Sequence, residues 1–272
     1  MKYKKIFDLK NRVAVITGAT GMLGKEFSLA LAEYGCKVAI IDLDLKKVTS
    51  FSDRLTKKFG VKSIGINCDV SNTKDVKNMV KSVEEYLGPI DILLNNAASK
   101  SNSLDEYFKS LENYNIDIWK EVIDVNLTGM YIVAKEIGSK MAKRKSGSII
   151  QTASIYSSMM ASDQRIYKGS RYLGKEINTP AVYAASKAGV VGLSLHLASY
   201  WAKNKVRVNT LSPGGVFSGQ NSAFVKNYSA RVPMNRMADK EEMVGAILYL
   251  ASDASSYVTG QNIFVDGGLS GW

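Results

Sequence analysis

Tyr183 and Lys187 occupy positions i and i+4 of the segment Val182-Tyr183-Ala184-Ala185-Ser186-Lys187, whose small residues suit a helix. On a helix that spacing stacks the two side chains one turn apart on a single face. A phenol with a pKa of about 10 is a poor base near neutrality, but an ammonium a few ångströms away favours the phenolate. Such a pair can take the proton of an alcohol hydroxyl and return it in the reverse direction. The same spacing also describes an ordinary surface pair, so the company these residues keep has to decide.

A second suggestive run lies near the start. An apolar stretch, Val13-Ala14-Val15-Ile16-Thr17, leads into Gly18-Ala19-Thr20-Gly21-Met22-Leu23-Gly24. A strand, a glycine-spaced turn and a helix in that order suit a pyrophosphate. Glycines let the backbone approach the phosphates, and a helix N-terminus presents free N–H groups and the positive end of its dipole. Alone, the three glycines also describe a tight strand-to-helix turn. Asp42 ends the next β-branched run, where a carboxylate accepts hydrogen bonds from both adenosine ribose hydroxyls and repels a 2′-phosphate. Asp42-Leu43-Asp44 therefore predicts NAD(H) rather than NADP(H), with a strand-end cap or helix N-cap as the alternative task for Asp42. Asp69 is placed to take the adenine amino group, or else to cap a helix beside Ser71.

These residues need a scaffold, and the sequence supplies one. Short β-branched runs at 13–17, 38–42, 63–68, 90–94, 148–151, 206–210 and 263–265 alternate with helix-length amphipathic segments. The helices are expected over 22–34, 45–59, 73–87, 118–143, 182–203 and 240–251, the first two closed by Gly35 and Gly60. That alternation predicts an α/β fold, a doubly wound parallel seven-stranded sheet of the Rossmann type. With 272 residues, 46% of them hydrophobic, and no linker-like break, one domain over 1–272 is expected.

Composition narrows the function. Two cysteines, Cys36 and Cys68, and the single His196 cannot furnish a four-ligand metal site or a disulfide framework. Reduced thiols in a cytoplasmic protein fit them better. The N-terminal Met1-Lys2-Tyr3-Lys4-Lys5-Ile6-Phe7-Asp8 lacks the apolar core of a secretory signal, and the uncharged stretch 188–202 is too short to span a bilayer. The net charge of +11 could attract nucleic acid, membrane or an anionic substrate. Basic clusters such as Lys143-Arg144-Lys145 fall at a helix end, however, and no RNA-binding signature accompanies them. Nucleic-acid and membrane partners are therefore not expected.

Together, Thr17-Gly18 with Gly24, Asp69-Val70, Asn95-Asn96-Ala97-Ala98, Asn126, Ser154, Tyr183 with Lys187, Pro213-Gly214 and Val265-Asp266-Gly267-Gly268 resemble the short-chain dehydrogenase/reductase family from Arg12 to Leu269. The resemblance implies that Ser154 donates a hydrogen bond to the substrate oxygen and places it against Tyr183. It implies that Asn126 kinks a helix and holds a proton-relay water near Lys187. Asn96 and Ala97 would approach the adenosine ribose, and Pro213, Gly214, Val216 and Ser218 the nicotinamide carboxamide. Tyr183 and Lys187 would contact the nicotinamide half, Lys187 through its ribose. A homotetramer or homodimer, paired through small-residue helices, is expected from the same resemblance, with His196 as a packed or interface residue.

Two departures matter. Met22 stands where the compact branch carries a glycine, and Gly18-x-x-Gly21-x-x-Gly24 is the spacing of the extended branch, whose members include sugar epimerases and dehydratases using bound NAD. This chain lacks the sizeable C-terminal substrate domain of those enzymes, and its ending favours the compact branch. Ser154 and Tyr183 are also unusually far apart. The insertion between them, about 155–180, carries Arg165, Lys168, Arg171 and Lys175 interleaved with Tyr156, Tyr167 and Tyr172. Such a loop could cap a polar, anionic ligand or serve as an exposed elaboration or subunit contact. The chain is thus read as similar to gluconate-dehydrogenase-like and bacterial surface-sugar or flagellin-glycan oxidoreductases. The substrate expected is a small molecule: a sugar, a sugar acid, or a phosphorylated or nucleotide-linked sugar. An epimerase or dehydratase without net redox change, and a dinucleotide-binding protein without turnover, are the competing classes.

Overall fold

The computed structural model describes residues 2–157, 160–172 and 174–272, without the side chains of Lys2, Tyr172 and Lys175. A short helix α1 (Lys2–Lys5) precedes β1 (Val13–Thr17), whose five residues are all buried. There follow α2 (Met22–Glu33), β2 (Lys37–Asp42), α3 (Leu45–Phe59), β3 (Ser63–Asn67), α4 (Thr73–Leu87) and β4 (Ile92–Asn95). The next stretch holds α5 (Leu104–Tyr107), α6 (Ile116–Ile123), α7 (Met130–Arg144) and β5 (Gly147–Thr152). A small hairpin of β6 (Arg171–Tyr172) and β7 (Lys175–Glu176) leads to α8 (Ala181–Trp201) and β8 (Val206–Pro213). The chain closes with α9 (Ser222–Ser229), α10 (Val244–Ala251) and β9 (Asn262–Val265).

The seven long strands run parallel in the order β3-β2-β1-β4-β5-β8-β9. Alternating side chains feed two apolar layers. Val13, Val15, Ala39, Ile41, Leu93, Ile149 and Val208 meet α4, α7 and α8 on one face. Ala14, Ile16, Val38, Ile40, Ile92 and Ile150 meet α2, α3 and α10 on the other. Strand order reverses between β1 and β4, which opens a crevice beyond their C-terminal ends. The predicted doubly wound sheet is therefore present.

Local rules hold where the sequence states them. Asp44 caps α3 by accepting from the Lys47 N–H at 3.1 Å, and Gly60 ends that helix in the left-handed region. Asn72 caps α4 in the same way. The long helix expected over 118–143 is instead α6 and α7 joined by a π-helical turn at Asp124–Gly129. Residues 240–243, expected as α-helix, form a 3₁₀ turn before α10. β4 begins later than expected and β8 runs on to Pro213, because β9 extends the ladder through Pro213↔Val265. The stretch Ala181–Asn204, longer than the uncharged segment 188–202, is long and apolar enough to cross a membrane by composition, with a mean hydropathy of 1.2. Here it is a core helix, burying Val190, Leu197 and Trp201 against the sheet.

Candidate active site

The glycine turn follows directly from β1. Gly18 adopts φ +61°, and a Cβ there would stand 2.8 Å from Ala97 Cα. A Cβ on Gly24 would lie 2.2 Å from the Gly18 carbonyl oxygen, so α2 starts closer to the strand than any side chain allows. Gly21 is the N-cap of α2 and offers no side-chain cap, which leaves the first-turn N–H groups at Met22, Leu23 and Gly24 free toward the crevice. Those donors at a helix N-terminus fit a pyrophosphate.

Asp42 lies at the adjoining strand end. Its Oδ2 accepts from the Thr20 N–H at 2.9 Å and the Thr20 hydroxyl at 2.6 Å, and its Oδ1 accepts from the Leu43 N–H. The carboxylate thus ties the glycine turn to β2, and the N-cap role falls to Asp44. Asp69 accepts from the Ser71 N–H and hydroxyl at 2.9 and 2.6 Å, with Val70 buried beside it. The backbone N–H groups of Asn96 and Ala97 both donate to the Thr17 hydroxyl, stitching β4 to the turn. Across the crevice, Pro213 ends β8, and Gly214 packs so closely on Asp266 that a Cβ would reach 2.7 Å from its Cα. Val216 bridges to Ala238, while Ser218 donates its N–H to Gln220 Oε1. The residues expected to hold a dinucleotide therefore converge on one edge of the sheet.

The proton-transfer residues converge in the same place. Ser154 follows β5 and is 5% exposed; its hydroxyl oxygen accepts from the Tyr156 N–H at 3.2 Å, and it lines the same cavity as Tyr183, whose phenol its hydroxyl influences. Tyr183 stands half-buried in the first turn of α8, after the N-cap Pro180. One turn on, Lys187 is 3% exposed and its Nζ donates to the Thr152 carbonyl at 2.9 Å. Burial lowers the Lys187 ammonium to about 8. Burial also raises the Tyr183 phenol, with the Ser154 hydrogen bond acting against it. On the phenol, burial thus acts in the direction opposite to the one the spacing leads one to expect from the ammonium.

Asn126 sits in the π-helical turn with no exposed surface. Its Oδ1 accepts from the Ser99 N–H at 2.7 Å, and its Nδ2 donates to the Ser99 carbonyl at 3.3 Å and the Ser186 hydroxyl at 3.5 Å. The extra residue of a π turn is what aims this amide inward. It clasps the loop after β4 to the helix that carries Tyr183 and Lys187.

Tyr183 and Ser154 face a cavity of about 580 Å³, lined also by Tyr156, Tyr167, Tyr228 and Arg171. The insertion forms its outer wall. A 3₁₀ turn at Gln164–Tyr167 buries Ile166 against Tyr228, Val232 and Met237. Asn227 of α9 donates to the carbonyls of Ile166 and Lys168, and the Tyr167 hydroxyl meets Thr179 at 2.7 Å. The cations divide. Arg165 is bound to Asp163, which Arg231 also engages, and the Arg165 hydrogen bond holds that carboxyl down to about 2. Arg165 and Lys168 lie outside the cavity, so the expectation that they line the mouth is not met; Arg171 does line it. Ser158, Met159 and Leu173, with the side chains of Tyr172 and Lys175, fall outside the described residues. Sequence reasoning missed Lys100, Tyr107 and Tyr228, which also line the cavity. The two tyrosines ride on helices of four and eight residues, too short to declare a periodicity.

A parallel sheet with a glycine turn at its reversal point, and a Ser-Tyr-Lys group beside a cavity, defines a nicotinamide-dinucleotide-dependent oxidoreductase. Residues 18–270 match the family described as "Enoyl-(Acyl carrier protein) reductase". The chain is 34% identical to a sorbose reductase of Candida albicans, over 97% of its own length and 89% of that protein's. It superposes with TM-score 0.86 and 30% identity, covering 98% of each chain, on a gluconate 5-dehydrogenase from Burkholderia cenocepacia in complex with NADP and tartrate. A short-chain dehydrogenase from Leptospira borgpetersenii with bound NAD+ gives TM-score 0.82 and 31% identity, over 96% of this chain and 93% of that one. The chain belongs to the short-chain dehydrogenase/reductase family.

Proposed function

We propose that residues 1–272 act as one cytoplasmic, NAD(H)-dependent oxidoreductase domain. It interconverts a secondary alcohol and a ketone on a sugar, a sugar acid, or a phosphorylated or nucleotide-linked sugar. The observation that carries this reading is the Tyr183 phenol beside Ser154 at the wall of a tyrosine-lined cavity, with Lys187 buried one turn below. A bound nicotinamide would supply the hydride acceptor or donor. Tyr183 takes the carbinol proton at its phenolic oxygen during oxidation and returns it to the ketone oxygen during reduction. Ser154 orients that oxygen, and Lys187, still largely protonated at neutrality, keeps a positive charge behind the pair. Asn126 fixes the loop and helix that frame them.

Asp42 supports NAD(H), since a 2′-phosphate beside its carboxylate would meet like charge. Similar structures hold NADP in one case and NAD+ in another, so the preference for NAD(H) rests on Asp42 of this chain. The names of the sorbose reductase and gluconate 5-dehydrogenase, with phenols suited to sugar hydroxyls, support a polyhydroxylated substrate. Leu195 and Tyr200 on the outer face of α8 are exposed, with His196 stacked on Tyr200, which supports a homodimer or homotetramer joined there.

The test is a panel of sugars, polyols, sugar acids and nucleotide sugars followed by NADH absorbance in both directions. At least one is expected to turn over, more efficiently with NAD(H) than NADP(H), and Tyr183→Phe is expected to lower kcat by about a thousandfold or more. A dinucleotide that never exchanges and yields no net NADH would instead assign a sugar epimerase or dehydratase.

A further inference from the structure

The cavity beside Tyr183 has an uneven charge. Two cations line it, Lys100 and Arg171, and among the described residues no carboxylate does. Neither cation has an ion-pair partner among the described residues. By contrast Lys109, Arg165 and Arg231, on the elements around the cavity, are each engaged by a carboxylate: Glu106 for the first, Asp163 for the other two.

Both free cations stand on anchored backbone. Lys100 lies between Ser99, clasped by Asn126, and Ser101, whose hydroxyl donates to Glu121 at 2.8 Å. The same amide that joins the β4 loop to α8 thus sets where Lys100 stands. Arg171 follows Ser170, which is 1% exposed, donates its N–H to the Tyr167 carbonyl at 2.7 Å and its hydroxyl to Asn221 at 3.3 Å. Arg171 then pairs with Glu176 across the β6/β7 hairpin through the backbone. Both side chains are exposed, but cations on fixed backbone lose less entropy when they close on an anion than cations on unanchored loops do. The remaining polar lining groups are phenols, amides and hydroxyls, neutral partners for sugar hydroxyls, set among apolar side chains such as Leu104, Phe108, Ile155 and Ile177 that suit the carbon faces of a sugar.

We infer that the substrate is an anionic sugar derivative, bearing a carboxylate or phosphate that Lys100 and Arg171 hold while its carbinol carbon lies at Tyr183. Arg171 offers the planar fork that matches either group, and Lys100 adds a point charge. This rests on the oxidoreductase reading above and narrows it. Of the residues assigned to the dinucleotide, Gly214, Val216 and Ser218 of the nicotinamide half share this cavity with Tyr183, whereas the glycine turn from Gly18 to Gly24, assigned to the pyrophosphate, does not line it, so the two cations serve the substrate and not the cofactor's phosphates.

The experiment compares kcat/KM for six-carbon aldonates, for hexitol phosphates and for the neutral hexitols of matching configuration, each with NAD+, and for the corresponding keto compounds with NADH. One anionic arm is expected to exceed its neutral counterpart by at least about tenfold, and which arm does so distinguishes carboxylate from phosphate. Arg171→Gln and Lys100→Gln are each expected to raise KM for the anion about tenfold with kcat within about twofold, leaving KM for a neutral hexitol and the Kd for NAD+ in place. Arg171→Lys is expected to recover part of the loss, and Arg165→Ala to change nothing. Equal efficiency on anionic and neutral arms overturns the inference while leaving the oxidoreductase reading intact. A fall in NAD+ affinity in either glutamine variant overturns it as well. No turnover of any arm by a protein that still binds NAD+ overturns both together.

Discussion

The Ser154–Tyr183–Lys187 group shows how burial and hydrogen bonding set opposing demands on single residues. Burial raises the Tyr183 phenol, and the Ser154 hydroxyl, donating to its oxygen, pulls it back down. Oxidation needs the phenolate, so kcat/KM for the alcohol should rise with pH as Tyr183 ionises. Ser154→Ala removes the group that favours the phenolate, and the rise is expected at higher pH than in the wild type, while ketone reduction persists further into the alkaline range. A Ser154→Ala profile that loses height without moving would contradict this. Lys187 carries a second consequence. Its ordinary value of 10.5 falls to about 8, so below pH 8 it is charged in folded and unfolded chain alike and its burial opposes folding by roughly 3 kcal/mol. That penalty fades as pH rises from about 8 to 10.5. Lys187→Met removes it but leaves the Thr152 carbonyl unpartnered, a loss of about 1 kcal/mol. At pH 7 the variant is therefore expected to melt a few degrees higher while losing activity, with the gap closing near pH 10, as calorimetry across pH can show. Residue identities at this scale were legible from spacing, but their electrostatics were not. The sequence shows Lys187 four positions from Tyr183; it does not show that Lys187 is buried and Tyr183 half-buried above it.

Elements were legible in proportion to their length and regularity. The apolar strand runs and the capped helices α3 and α4 announce themselves, because caps and periodicity are local. The π-helical turn did not, since 118–143 reads by pattern as one continuous helix and the bulge is enforced from outside, by the bonds Asn126 makes to Ser99 and Ser186. The insertion was legible as an insertion but not as a wall. Its aim depends on contacts with α9, distant in sequence, through Asn227 to the carbonyls of Ile166 and Lys168; Arg165 is taken by Asp163 two residues away, while Arg171 lines the cavity. Ile166, 1% exposed, anchors it. Ile166→Ala is expected to weaken that anchorage by about 2–4 kcal/mol, raise substrate KM several-fold and leave the Kd for NAD+ within about twofold. A parallel loss of NAD+ affinity would show that the insertion supports the dinucleotide half instead.

At the scale of the whole molecule, the doubly wound sheet gathers residues from Gly18 to Ser218 at one edge, and no single stretch of sequence contains the site. The helix that delivers Tyr183 and Lys187 inward shows Leu195 and Tyr200 outward, 54% and 68% exposed. Covering those residues with a second copy accounts for their exposure. Sedimentation at micromolar concentration is expected to show a dimer or tetramer, and Leu195→Glu to shift it toward monomer. A wild-type monomer under those conditions would remove the proposed assembly.

The central claim is that Tyr183 moves a proton while hydride passes between a sugar carbinol carbon and the dinucleotide. Its most direct test uses a substrate from the active panel, deuterated at that carbon, with NAD+ and the wild-type or Tyr183→Phe protein, and mass analysis of the nucleotide. Deuterium is predicted on the reduced dinucleotide with the wild type and almost none with Tyr183→Phe. Deuterium that stays on the sugar or washes into solvent, or transfer at the wild-type rate by Tyr183→Phe, would contradict the account.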